Sequence, residues 1–376
     1  MNYLNLQVES NIKERTMTKY LDFHNKDMRL EHIYDNSQYC KQAEKIKKEE
    51  WYPFMSFPIT QICNFKCFYC GEGGEATSSN VKITSFDTIK EYMEYGIKAG
   101  IKKFRITGGE PFTHPDIDEI LLYMSKKGYY VLVNTNGSLL YKHKDMIGKL
   151  GSNIHFAVSY DTMKSEKMKV ISKVNCHSKV QEGISLLKEN GLLLRLNMVI
   201  EKYNRDEVEE IIEYCKKLKC DLKILDVVSV PVPFSDERKN FYQEVDSLEA
   251  IFKERCDAIY SHEYTRGFGT PCFRYKFGDI FVTVKNSKKG SHYDRNFKND
   301  VNQHICDGCK YYPCHEGLYD IFVLSDGRIC SCRWTEKQTF DEPILQLKYM
   351  INAFRRSKYI ETGNNRDMKV RNELIK

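Results

Sequence analysis

The feature that most restricts the fold is an alternation. Between residues 53 and 227, short β-rich apolar runs take turns with stretches of helical period. FMSFPITQIC is followed by FDTIKEYMEYGIKAG, then KKFRIT, a helix near 116–127, YYVLVNTN and a helix near 139–149. NIHFAVSYD, a helix near 178–190, LLLRLNMVI, a helix near 205–218 and DLKILDVV complete the series. Such a series predicts parallel strands joined by right-handed crossovers. Six strands fall short of a closed eight-stranded barrel. The expected class is therefore α/β, a partial TIM-like (β/α)6 barrel, with its functional loops at the C-terminal ends of the strands.

The alternation breaks at Pro231 and Pro233. Beyond them 234–300 reads as irregular, with one helix near 246–260. YDIFVLSDGRICSC then shows two short β runs joined by Asp326-Gly327, a hairpin signal. The expected organisation is an N-terminal helical extension (1–50), the barrel core (51–230), a small cysteine-rich C-terminal domain (231–340) and a charged helical tail (341–376).

Composition narrows the function. The chain of 376 residues is 41% hydrophobic and 29% charged, which suits a globular protein with a core. No apolar run approaches the roughly 18 residues of a spanning helix. The start, MNYLNLQVESNIKER, lacks the pattern of a secretory signal, so a cytoplasmic enzyme without a membrane partner is expected. The net charge of +6 is spread along the chain. It fits modest attraction to an anionic substrate better than nucleic-acid binding, which needs a denser basic stripe.

The count of 14 cysteines is high for a chain of this length without an export signal, and in a reducing compartment clustered thiols point to metal or redox chemistry. Cys63, Cys67 and Cys70 form C-x3-C-x2-C directly after the first strand. Three thiolates on one short loop can hold one corner of an iron–sulfur cube and leave one iron open, whereas a structural zinc wants a fourth ligand nearby. Phe65, Phe68 and Tyr69 would shield such a cluster from water. Downstream, TGGEP at 107–111 follows the second strand. Its glycines allow a close backbone approach, and Glu110 offers a carboxylate to an ammonium group. The second cluster holds Cys306, Cys309, Cys314, Cys330 and Cys332. Cys330 and Cys332 share one strand face, and spacing alone leaves an iron–sulfur cluster and a zinc ribbon both open. The dispersed cysteines read as small buried side chains.

C-x3-C-x2-C followed by TGGEP resembles the radical S-adenosylmethionine (SAM) superfamily. The resemblance covers about 53–227. It implies a [4Fe–4S] cluster on Cys63, Cys67 and Cys70, with SAM chelated to the open iron. It also implies one-electron cleavage of SAM to methionine and a 5′-deoxyadenosyl radical that abstracts hydrogen from substrate. Gly108, Gly109 and Glu110 would hold the methionine end of SAM. Thr135, Asn136, Ser159, Asp161 and Asn197 would contact SAM or substrate. A flavodoxin- or ferredoxin-type electron donor is implied.

From 53 to 334 the layout is similar to the GTP 3′,8-cyclase (MoaA-like) subfamily, whose members carry SPASM or twitch cluster domains. RITGGEPFTHPDI, VNTNG, VSYD, LRLNMVI and C-x2-C followed by DG-x4-C carry this likeness. It implies a second, auxiliary cluster on Cys306, Cys309 and Cys332, which Cys314 could close. Lys103 and Arg105 match a basic pair of that subfamily and would face an anionic substrate. Arg195 stands where it has Lys. Gln61-Ile62 replaces its Asp-Arg, and Ser56 replaces an Arg that contacts nucleotide. These departures point to a specialised relative acting on a peptide, a nucleoside or another small molecule. GTP cyclisation and a non-catalytic metal-binding protein are the alternatives.

Overall fold

A computed structural model describes residues 53–70, 82–227, 243–262, 272–286, 320–331 and 342–356. The extension 1–50 and Cys306, Cys309, Cys314 and Cys332 lie outside the described residues.

Six parallel strands lie side by side in chain order: β1 (Phe54–Pro58), β2 (Lys103–Thr107), β3 (Tyr130–Thr135), β4 (Ile154–Ser159), β5 (Leu193–Ile200) and β6 (Asp221–Asp226). Between them run α1 (Phe86–Ala99), α2 (Ile117–Lys127), α3 (Lys144–Ile147), α4 (Ser165–Ser172), α5 (His177–Glu189) and α6 (Val208–Leu218). Local signals set the helix ends. Ser85 accepts a hydrogen bond from the Thr88 amide at the start of α1, and Gly100 closes it in the left-handed conformation. Alternation along the strands separates two faces. Met55 and Phe104 lie on the outer face, close beneath Gly96 of α1. Ser56 and Arg105 are on the opposite, inner face, in register with each other. The architecture is a partial TIM-like barrel.

The barrel sheet does not stop at β6. α7 (Asp246–Arg255) leads to β7 (Ala258–His262), β8 (Cys272–Phe277) and β9 (Ile280–Lys285), and β9 joins β6 in parallel. On the other edge β10 (Asp320–Val323) runs parallel to β1, and β11 (Ile329–Cys330) folds back antiparallel on β10. The result is one sheet of eleven strands. The segment read as irregular therefore contains three strands. The helix expected to reach 260 ends at Arg255, where Cys256 is extended. The sheet also runs straight across the expected boundary at 230/231. α4 is an additional helix, and the helix expected near 139–149 resolves into a 3-10 turn, Leu140–His143, followed by α3. α8 (Pro343–Arg356) packs on α1. Among the described residues no helix is long and apolar enough to cross a membrane.

Candidate active site

At the C-terminal rim of the strands lies a cavity of about 230 Å³. Its wall begins with the loop after β1, which carries Cys63, Cys67 and Cys70, all free thiols. Backbone contacts anchor this loop: the Lys66 amide donates to Ser172 O and the Phe68 amide to Ile171 O, at the end of α4. The turn after β2 is drawn against the same loop. The Gly109 amide donates to Thr60 O and the Glu110 amide to Ile62 O, both at 2.7 Å. A Cβ on Gly108 would lie 2.3 Å from Thr60 O, and one on Gly109 would lie 2.2 Å from Ile62 O. Gly108 also has φ +134°. The paired glycines thus serve a close approach between the TGGE turn and the cysteine loop.

Glu110 is buried and caps the following turn. Its carboxylate accepts from the Phe112 amide, from the Thr135 hydroxyl at 2.6 Å and from the Asn136 amide at 2.6 Å. Asn136 in turn donates to Asn64, and Asn64 donates to Ser138, which ties the cysteine loop to the end of β3. Across the cavity Asp161 accepts from the Tyr69 hydroxyl at 2.5 Å and from the Val199 amide. Ser159 lines the wall beside it.

The electrostatics of this rim are distinctive. Burial pushes the Glu110 carboxyl up to about 7 and the Asp161 carboxyl up to about 6. Their hydrogen-bond donors are all neutral groups. Burial also raises the Cys63 thiol to about 11 and the Cys67 thiol further still. Left alone, these thiols stay protonated. A metal centre is what converts such thiols to thiolates, and a positively charged ligand is what buried, cation-free carboxylates favour. An iron–sulfur cluster and SAM, with its sulfonium and ammonium groups, fit this donor set.

Not every expected residue lies on the cavity. Gly108, Gly109, Glu110, Thr135, Asn136, Ser159 and Asp161 line it, whereas Asn197, Arg195, Lys103 and Arg105 are not among its lining. Asn197 and Arg195 sit on the inner face of β5, where Arg195 Nε donates to Asn197 Oδ1. Lys103 is buried and lies 6.0 Å from the Phe54 ring centroid. Arg105 stacks on the same ring at 4.4 Å and forms an ion pair with Asp320 of β10. Ser56 donates to the same carboxylate at 2.5 Å. Cys330 is buried on this face opposite Phe322, with which it pairs in register. His114 is structural: its ring bonds Thr84 O and accepts from the Asp116 amide. His155 stacks on Tyr130 at 4.5 Å.

Residues missed from sequence include Asn64, Ser138, Thr107 and Asn134. Asn134 Oδ1 is buried on the cavity wall without a hydrogen-bond partner among the described residues. The period of two along β2 and β3, counted back from the TGGE turn and from Asn136, puts Thr107 and Asn134 on the inner face.

A parallel half-barrel with three clustered thiols and a TGGE turn at its rim is the architecture of a radical SAM enzyme. Residues 57–215 match the Radical SAM superfamily. A GTP 3′,8-cyclase of Helicobacter pylori (strain HPAG1) is 32% identical over 288 residues, covering 74% of this chain and 79% of that protein. A GTP 3′,8-cyclase of Listeria monocytogenes serovar 1/2a is 26% identical over 313 residues, 81% of this chain and 86% of that one. Among solved structures, Streptococcus suis SuiB bound to S-adenosylmethionine superposes with a TM-score of 0.54 at 16% identity, over 93% of this chain and 79% of that one. At that identity the likeness concerns the fold. The chain belongs to the radical SAM superfamily, in its GTP 3′,8-cyclase-like (MoaA-like) branch. It is an enzyme, and its cofactors are a [4Fe–4S] cluster and SAM.

Proposed function

We propose that Cys63, Cys67 and Cys70 hold the cluster, that the TGGE turn, Asn136, Ser159 and Asp161 hold SAM, and that a peptide or small-molecule substrate, such as a nucleoside, lies on the inner face of β1–β6. When bound, the cluster would relay one electron from an external reductant to SAM, and SAM so reduced would supply hydrogen-abstraction chemistry toward the substrate. The protein's own part is positioning and exclusion of water. Glu110 and Asp161 hold a cationic ligand through carboxylates that have no cationic partner among the described residues. Phe65 and Tyr69 line the cavity together with the thiols. Thr107, Asn134 and Asn197 point along the inner face toward the place a substrate occupies. The observation that carries this reading is the convergence of three free thiols and two cation-free buried carboxylates on one cavity.

An auxiliary cluster on Cys306, Cys309, Cys332 and Cys314 is part of the proposal. Cys330, two positions before Cys332 in the chain, lies on the inner face of β11 next to β10, which supports it. A flavodoxin- or ferredoxin-type protein is the proposed electron donor.

The test is iron and sulfide per chain after anaerobic reconstitution, with 5′-deoxyadenosine formation under strong reductant. About eight irons in the wild type, falling to about four in the Cys63/Cys67/Cys70→Ala variant, is the expected result. A chain that holds no iron removes the radical reading, and one that holds about four, all lost in the variant, removes the auxiliary cluster. The second reading, GTP cyclisation, is favoured by the 32% identical relative. It requires that GTP accelerate 5′-deoxyadenosine formation.

A further inference from the structure

The wall formed by β10, β1 and β2 lies beside the proposed substrate position, two residues along β2 from Thr107 of the cavity. Its cations are already engaged. Asp320 is 1% exposed and Ser56 0% exposed. The Arg105 guanidinium is ion-paired to Asp320 Oδ2, which also accepts from Ser56 Oγ. Arg105 and Lys103 both approach the Phe54 ring, at 4.4 and 6.0 Å from its centroid. These residues come from three strands that the parallel pairing holds in register, with Phe54 level with both Lys103 and Asp320. The ion pair is therefore built into the sheet.

We infer that Asp320 is a specificity-determining residue. It neutralises Arg105 and so excludes polyphosphate nucleotides from the barrel, leaving the wall to substrates without a phosphate chain. The physical reason is competition. A phosphate that recruited Arg105 would draw a cationic partner away from Asp320 at a buried position, and weakening the pairing of a buried carboxylate is unfavourable. Left in place, the carboxylate repels the phosphate instead. A uniformly basic wall would do the opposite and gather phosphate oxygens through bidentate guanidinium contacts. The inference rests on the proposal that substrate occupies the inner face. It separates this chain from the reading in which GTP is the substrate.

The experiment uses the full chain, reconstituted with iron and sulfide and saturated with SAM. Binding of GTP and of guanosine is measured by anaerobic calorimetry for the wild type and for Asp320→Asn, which keeps the shape and an acceptor oxygen but removes the charge. In the wild type GTP is expected to bind no more tightly than guanosine. In Asp320→Asn GTP is expected to gain about tenfold or more, with guanosine unchanged. Two results overturn the inference: wild-type GTP affinity at least about tenfold above that of guanosine, or a variant with wild-type iron content and SAM affinity that shows no gain for GTP. If Asp320→Asn does not fold, the wild-type ratio of GTP to guanosine decides alone. The same preparations are assayed for iron and 5′-deoxyadenosine. A sample that fails there overturns the radical reading, and one that passes while favouring GTP over guanosine overturns only this inference.

Discussion

Two carboxylate environments share one barrel and solve opposite problems. At the rim, Glu110 and Asp161 are held by hydroxyls and backbone amides. Burial lifts both above the ordinary carboxylate range. On the wall, Asp320 is held by a guanidinium. The rim gains from the arrival of a positively charged ligand, whereas the wall is complete without one. Within one fold, the rim proposed for the cofactor is thus left electrostatically unfinished and the wall proposed to face the substrate is closed by an internal pair.

The strongest way to break this contrast is Asp320→Ala. Removing one partner of a buried pair leaves Arg105 uncompensated and is expected to cost about 3–5 kcal/mol, read as a lower urea midpoint. Replacing both partners, Asp320→Leu with Arg105→Met, is expected to recover most of that loss, because an apolar pair of similar volume suits the site. A single variant as stable as the wild type would show that the pair does not hold the wall together.

A second prediction tests the rim through pH. Glu201, just beyond β5, is fully buried; one carboxylate oxygen accepts from the Tyr203 amide and the other has no partner among the described residues. Burial is the main cause that raises its carboxyl from 4.5 to about 7, the Tyr203 bond opposes it, and the nearby charge of Asp161 adds to it. The folded value lies above the unfolded one, so the folded chain binds the extra proton. The stability this site contributes is full below about 4.5 and is lost as the pH rises to about 7. Glu201→Gln removes the ionisation. The variant is expected to match the wild type near pH 4.5 and to exceed it at pH 8 by on the order of 3 kcal/mol. Parallel urea midpoints at both pH values would contradict the assignment.

The two regions also differ in how far the sequence reveals them. The rim is legible because it is local. C-x3-C-x2-C and TGGE are short segments whose spacing is imposed by backbone geometry, and the alternation of runs between 53 and 227 places both at strand ends. The wall is not legible, because Arg105 and Asp320 are 215 positions apart and meet only once β10 adds to β1. Asp326-Gly327 announces the β10–β11 hairpin but says nothing of the strand it will join. The same limit hides the Tyr69–Asp161 bond, across 92 positions. It also hides β7 to β9, whose short runs AIYSH, CFRYKF and IFVTVK acquire meaning only as additions to β6.

Gly109→Ala probes that local rigidity. The new methyl group meets Ile62 O at 2.2 Å, which forces the TGGE turn away from the cysteine loop. The expected cost is about 1–3 kcal/mol, with less iron retained after reconstitution. A variant with wild-type stability and iron content would mean that the turn and the loop are not mechanically coupled.

The smallest expected effect sharpens the comparison most. Ser56→Ala removes a hydrogen bond to Asp320 but leaves the charge of the wall untouched, because Arg105 still pairs with the carboxylate. It is expected to cost about 1 kcal/mol in the urea midpoint and to leave the ratio of GTP to guanosine affinity unchanged. If exclusion depended instead on the shape of the hydrogen-bonded wall, Ser56→Ala would admit GTP as readily as Asp320→Asn. Charge and shape make the same prediction for the aspartate and opposite ones for the serine, so the serine variant distinguishes them.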